Sequence, residues 1–197
     1  MALQPVLTET SGRIPVFSKI LEVLTGGFSF ASVSGFNTNV ILPAGSLIKV
    51  DEAARTATLI KTGVIYSGTS TTSLKVTPGH HFAAGDVVAL GTGTGKSAHS
   101  ISTITEGTDY DTFTIATAIE GSTGGAVLFE ASAIATASQE VAVKTVANAL
   151  TYLPVTIEAG GFVSALVRGT AYKNRIQANN SAHLADLPEG LYLSESY

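Results

Sequence analysis

The chain has 197 residues, enough for one or two domains with a sizeable core. Only 13% of residues are charged against 45% hydrophobic, the net charge is −4, and Lys and Arg are scattered, which disfavours a nucleic-acid interface built on clustered cations. There is no Cys, which removes disulfides, thiolate metal sites and Cys nucleophiles.

Thr and Ser together are abundant, 25 and 19 residues, a composition that favours strands and hydrogen-bonding turns over long charged helices. So little charge leaves a surface poorly protected against association, and an oligomer that hides it is the simplest remedy. The start, MALQPVLTETSGR, lacks a basic segment followed by an apolar core, so it does not read as a secretory signal. No apolar run reaches the roughly 18–20 residues of a membrane-spanning helix, and no membrane role is expected.

Residues 1–30 read as an N-terminal arm. Ile14, Phe17, Leu21 and Leu24 recur at helical spacing, with Pro15 suited to a first turn and Gly26-Gly27 to a stop, which predicts a short amphipathic helix over 15–24. A strand through Ile20 to Leu24 is the alternative.

Residues 31–66 read as strands with tight turns, and together with 129–172 they are expected to form a main β-domain. Val40-Ile41-Leu42 precedes a Pro43-Ala44-Gly45 turn, and Leu47 to Val50, Thr58 to Ile60 and Val64 to Tyr66 follow. Ser67 to Thr71 is a flexible junction into a small β-barrel module over 67–128, inserted or appended, with strands at Val87 to Leu90, Ile101 to Ile104, Phe113 to Ile115 and Val127-Leu128. Val141 to Val143, Val155 to Ile157 and Phe162 to Val167 would complete the main domain, with Gly160-Gly161 as a hairpin turn between the last two. The tail, 173–197, reads as a short helix ended by Pro188 and an edge strand at Leu191 to Leu193. The expected fold is therefore mainly β, an antiparallel barrel or sandwich with a small β-module and short helices near the termini.

The motifs that carry chemistry are fragments. GTGTGKS at 91–97 has the flavour of a phosphate-binding loop, but Leu90 stands where the first glycine belongs and HSISTI follows as a strand, so it reads as a mobile hairpin loop. His80, His81, Asp86 and His99 could bind a metal, yet adjacent histidines point apart on an extended chain, and Pro78-Gly79 places both in an exposed turn. Glu106, Asp109 and Asp111 supply only part of a calcium loop and read as solvated carboxylates on a hairpin. Ala31-Ser32-Val33-Ser34-Gly35 lacks the first glycine of a nucleophile elbow. No catalytic, metal or cofactor site is expected.

Two stretches carry a family resemblance. One runs from Leu42-Pro43-Ala44-Gly45-Ser46-Leu47-Ile48-Lys49-Val50-Asp51-Glu52 through Arg55 to Lys61-Thr62. The other runs from Gly79-His80-His81-Phe82 through Gly85-Asp86-Val87-Val88 and Asp109-Tyr110-Asp111 to Gly125-Ala126-Val127-Leu128-Phe129-Glu130. These resemble head-fibre or capsid-decoration proteins of tailed bacteriophages and prophages, particularly those of Bacteroides-type hosts. The resemblance covers roughly residues 25–172. It implies a structural, non-enzymatic virion protein on the outer capsid surface, made in the host cytoplasm. It also implies a homotrimer bound to the major capsid protein, cementing neighbouring capsomers. Ile14, Phe17, Leu21, Phe28 and Phe30 are the candidate capsid or trimer contacts, set against the simpler reading that they fill the chain's own core. The rival reading is a receptor- or carbohydrate-binding module that meets a host-surface glycan through the loops at 91–97 and 106–111. A β-fold hydrolase comes third, because no acid/base pair stands out.

Overall fold

The computed structural model describes residues 15–36, 38–66, 70, 72–119 and 121–195, with the backbone alone at Thr25 and Gly26. Among these the strands are β1 (Phe17–Phe30), β2 (Ile41–Leu42), β3 (Leu47–Asp51), β4 (Thr56–Leu59), β5 (Thr62–Val64), β6 (Ser73–Val76) and β7 (Val87–Ala89). They continue as β8 (Ala98–Thr105), β9 (Asp111–Ile115), β10 (Val127–Glu130), β11 (Ala149–Thr151), β12 (Val155–Thr156), β13 (Phe162–Tyr172) and β14 (Leu191–Ser194). The protein is mainly β, as its Thr, Val and Ile content predicts, and the helical content among the described residues is two 3₁₀ turns, Lys173–Arg175 and Ser181–Leu184.

Two six-stranded sheets carry the architecture. The first runs β1-β4-β3-β11-β13-β14 and is closed by a β1–β13 ladder, giving a five-stranded barrel with β14 added outside. The second runs β5-β10-β7-β8-β9-β6, and an antiparallel bridge between Ile65 and Val76 joins its two ends. Strand alternation gives each barrel an inner and an outer face. In the first, Ile48, Val50, Ala149 and Ala165 point inward onto Phe28, Phe30 and Ile157. Their sequence neighbours Leu47, Leu150 and Leu166 point outward and are sealed by Ile176 and Leu191 of the C-terminal segment. In the second, Val88, Ile101, Phe113 and Leu128 fill the interior. Ala89, Ala98 and Phe129 form an outer cluster, covered by Ala131, Ala135 and Val141 of the following loop.

Several expectations change here. The segment over 15–24 is a strand: β1 pairs antiparallel with β13 along nearly its whole length. Its ladder shifts register at four places, between Phe17 and Lys19, Ile20 and Glu22, Glu22 and Val23, and Leu24 and Phe28. Each irregularity disturbs the period of two, so apolar residues at 17, 21 and 24 imitate a helical repeat. β1 is also a wall of the first barrel, so the part of the arm from Phe17 onward is integral to it. Thr62 to Ile65 pair within the second sheet, which therefore begins before the Ser67 to Thr71 junction. Gly160 and Gly161 do lie in a turn, but β12 pairs with β2 rather than with β13. The 91–97 loop joins β7 to β8 as expected of a hairpin, yet it is pinned: Gly93 exchanges two backbone hydrogen bonds with Val141, and Gly95 N–H donates to Ala137.

Candidate functional site

Four of the polar groups that the sequence singles out, His80, His81, Asp86 and Asp111, lie with Lys61 where the second barrel meets the first, while His99 stands apart on β8 beside Leu90 and Lys96. Lys61 immediately precedes β5 and Asp86 immediately precedes β7, so the chain delivers both to one end of the second barrel. The Lys61 ammonium stands 2.7 Å from Asp86 Oδ2, with side-chain exposures of 4% and 15%. The same Oδ2 accepts the Ala83 N–H at 2.8 Å, and the ammonium lies 4.7 Å from the centre of the Phe36 ring. A buried ammonium is costly unless paired, and here a carboxylate and an aromatic face both meet it.

His80 and His81 are both buried, against the expectation of an exposed turn. The turn at Pro78-Gly79 exists, but the chain after it dives between the barrels. The Phe82 N–H donates to His80 Nδ1 at 3.2 Å, which assigns the ring proton of the neutral imidazole to Nε2. That atom stands 3.0 Å from Asp111 Oδ2, a close charge-assisted contact that falls short of good hydrogen-bond geometry. Burial pushes the His80 pKa below its usual value, against the opposing pull of Asp111 and Glu106. The His81 pKa is lowered by burial first, then by His80 and Lys61, and its Nδ1 is buried without a hydrogen-bond partner among the described residues. Phe113 meets the edge of His80 with ring centroids 4.6 Å apart, while Phe36 lies 6.1 Å from His81.

Asp111 is likewise buried, not solvated as a hairpin carboxylate would be. Its Oδ1 accepts the Gly107 N–H at 2.9 Å, which folds the 107–111 loop back on itself. At Gly107 a Cβ would run into the Tyr110 carbonyl, so this close turn requires glycine. His80 and Asp111 thus stitch two loops together, and with both ring nitrogens of His80 facing partners, the pair is built for position rather than proton transfer. Among the described residues, no three His, Asp or Glu side chains converge to hold a metal. Asp86 belongs to Lys61 instead.

Gln177, which sequence reasoning overlooked, fastens the junction. Its Oε1 accepts the Leu47 N–H at 2.8 Å, and its Nε2 donates to the Ile60 carbonyl and to Thr62 Oγ1 at 2.7 and 2.9 Å. One side chain from the tail thus reaches β3, the β4–β5 connection and β5. Beside it is a cavity of about 220 Å³ lined by Ser46, Thr62, Gly63, His80, His81 and Gln177. A lone Gln in a polar tail offers no signal in sequence, because only the fold brings its amide to those backbone groups.

The proposed contact residues separate. Ile14 lies outside the described residues. Phe28 and Phe30 are in the core of the first barrel, and Phe17 is half-buried with its ring 6.2 Å from that of Tyr152. Leu21 is exposed. The two loops of the rival reading lie at opposite ends of the eight-residue β8, about 25 Å apart, so they do not form one surface. The 106–111 end carries aromatic groups of its own: Tyr66 and Tyr110 stack at 5.3 Å, and the Lys75 ammonium lies 4.5 Å from the Tyr110 ring centre.

Compared with family models, with curated proteins and with solved structures, the chain gives no match in any of the three. Among the described residues no helix is long and apolar enough to cross a membrane.

Proposed function

We propose that this chain is a structural virion protein that decorates and stabilises the outer surface of a tailed-phage capsid, as a head fibre or cementing homotrimer bound to the major capsid protein. The observation that carries this reading is the distribution of exposed large apolar side chains. Among the described residues, Ile20, Leu21, Val40, Ile41, Leu153, Phe162 and Tyr192 stand on the first barrel and its flanking strands. Only Tyr66 and Ile134 stand on or beside the second. Single exposed apolar residues are ordinary, but such a bias toward one barrel supports reading it as the part that a partner covers. The second barrel would then project from the shell. The mechanism is surface burial: a bridging protein adds contacts that separating capsomers must break, and a standard interface of about 1,600 Å² per contact, multiplied by threefold avidity, suffices to hold it.

Co-sedimentation with capsids lacking the protein tests this. The full chain should pellet with them, and the exposed pair Leu153→Ser and Phe162→Ser should abolish pelleting while leaving the fold intact. Retained binding by that double variant would remove the support. An N-terminal deletion used for the same purpose must stop before Phe17, since cutting into β1 opens the barrel.

The Tyr66–Tyr110 pair and its neighbouring Lys75 favour a second reading, a host-glycan contact at the 106–111 end alone. Stacked aromatic side chains with adjacent carboxylates suit sugar rings and hydroxyls. A glycan array read with wild type and with Tyr66→Ala distinguishes the two: a reproducible hit lost in the variant supports it, and a blank array removes it.

A further inference from the structure

The strand β1 has an edge that no other strand covers among the described residues. β13 lines one side of β1, but on the other side β4 reaches only Ser29 and Phe30. From Ser18 to Glu22 five consecutive residues are exposed, so this stretch meets solvent on both faces as well as along its edge. At its centre Ile20 and Leu21 are 46% and 58% exposed. An open edge with apolar side chains is a template for pairing with another chain.

The register shows which residues share a face. Lys19 lies opposite Thr170, Ile20 opposite Gly169 and Glu22 opposite Arg168. Thr170 and Arg168 are two apart and lie on one face, with Gly169 on the other. Lys19 and Glu22 therefore share a face although they are three apart, because Leu21 is an extra, bulged residue.

That detail governs symmetry. When a twofold axis perpendicular to a sheet makes two copies of one strand antiparallel neighbours, residues directly opposite must share a face. In a regular strand, residues three apart cannot meet in this way. The bulge makes it feasible here. With the axis between Ile20 and Leu21, Lys19 of each copy stands opposite Glu22 of the other, and Ile20 opposite Leu21. Opposite charges directly across a strand pair stabilise it, and like charges oppose it. Bulges and charges also serve to protect edges from pairing, but here the charges are arranged as complements across one axis.

We propose that a second copy of this chain docks along the open edge of β1, antiparallel and about a twofold axis at Ile20-Leu21, held by two reciprocal Lys19–Glu22 pairs. The contact takes Ile20 and Leu21 and leaves Ile41, Leu153 and Phe162 free for a capsid, and it can coexist with a trimer only by linking two of them.

Light scattering over a concentration series of the full chain, with Lys19→Glu, Glu22→Lys and the double exchange, tests it. Both side chains are exposed, and the Glu22–Arg168 ion pair, at 3.6 Å and half in solvent, is too weak for its loss to unfold the chain. Wild type should approach about 40 kDa, twice the 20.1 kDa chain, or about 120 kDa where the contact links two trimers. Each single reversal should weaken association roughly tenfold or more, and the double exchange should restore it. Association that ignores the single reversals, or that the double exchange fails to rescue, overturns the contact. A species near 60 kDa that ignores all three overturns it while supporting the trimer, and a species near 120 kDa that falls to 60 kDa on single reversal supports both. A monomer throughout removes both. A dimer that forms only after removal of residues 2–13 shows that the chain's own N-terminal segment occupies the edge, and also overturns the proposal.

Discussion

Around the first barrel, Ile41, Leu153, Phe162 and Tyr192 stand in solvent while the interior is closed by Phe28, Ile48 and Ile157. The second barrel shows the reverse habit. Its large apolar groups are almost all inside, and at its mouth Lys61, His80, His81 and Asp111 are buried polar or charged side chains. Burying such groups stabilises little by itself, since desolvation offsets most of the attraction. What they contribute is position: Lys61–Asp86 ties the 77–86 loop to the start of β5, His80–Asp111 ties that loop to the 107–111 loop, and Phe36 of the first barrel's core meets Lys61 and His81. Exposed apolar groups, by contrast, fix nothing within the monomer and gain only when something covers them. The first barrel thus leaves apolar side chains in solvent, whereas the second has its loops fixed by buried polar contacts.

The largest test of that contrast is Phe113→Ala. Phe113 is fully buried at the centre of the second barrel, against His80 and Phe82. Truncation should cost about 3–5 kcal/mol. Denaturant unfolding should still show one transition, because Gln177 and Lys61 tie the barrels together. Two separated transitions would show that the barrels unfold independently and would break the idea of a stitched junction.

Next comes Lys61→Met, which leaves the Asp86 carboxylate without its cation in a mostly buried setting. A loss of about 3 kcal/mol is expected, and adding Asp86→Leu should recover most of it. If the single variant is neutral, the pair is not what holds the junction.

The β-content, the 87–90, 101–104, 113–115 and 127–128 strands and the final edge strand were legible because β-branched runs between Gly, Asp and Thr turns report local geometry directly. β1 misled because its bulges alter the very period that sequence reading depends on. The closure of the first barrel by β1 and β13, over 130 residues apart, leaves no local trace. The same holds for the junction. His80 and His81 follow a Pro-Gly turn, which locally predicts exposure, and only the approach of the other barrel buries them. Gly169 makes the point in reverse. A Cβ there would strike the Lys19 carbonyl, a constraint plain in the ladder and invisible in the sequence.

The histidines give the contrast a pH dependence. Burial lowers the pKa values of His80, His81 and His183 from the ordinary 6.5. The unfolded chain therefore takes up protons at a higher pH than the folded one. Stability should be constant above about pH 6.5 and should fall as pH drops from 6.5 toward the lowered folded values. Melting temperature measured from pH 8 to pH 5 checks this. His81→Leu should flatten the slope, since His81 faces both His80 and Lys61 and has no carboxylate of its own. A profile unchanged by that substitution would put the acid sensitivity elsewhere.

The smallest effect is expected at Lys144, and it sharpens the comparison because its geometry matches that of Lys61. Lys144 Nζ and Glu130 Oε1 are 2.7 Å apart, the same separation as Lys61 and Asp86. The difference is solvent: the Lys144 side chain is 56% exposed. Water and salt screen such a pair, and ordering a long side chain offsets part of the attraction. Lys144→Ala should therefore cost no more than about 0.5 kcal/mol, fading at high salt, where Lys61→Met keeps its full effect. Equal losses at both sites would mean that distance, not burial, governs these pairs, and the positional role given to the buried polar groups of the second barrel would lose its physical basis.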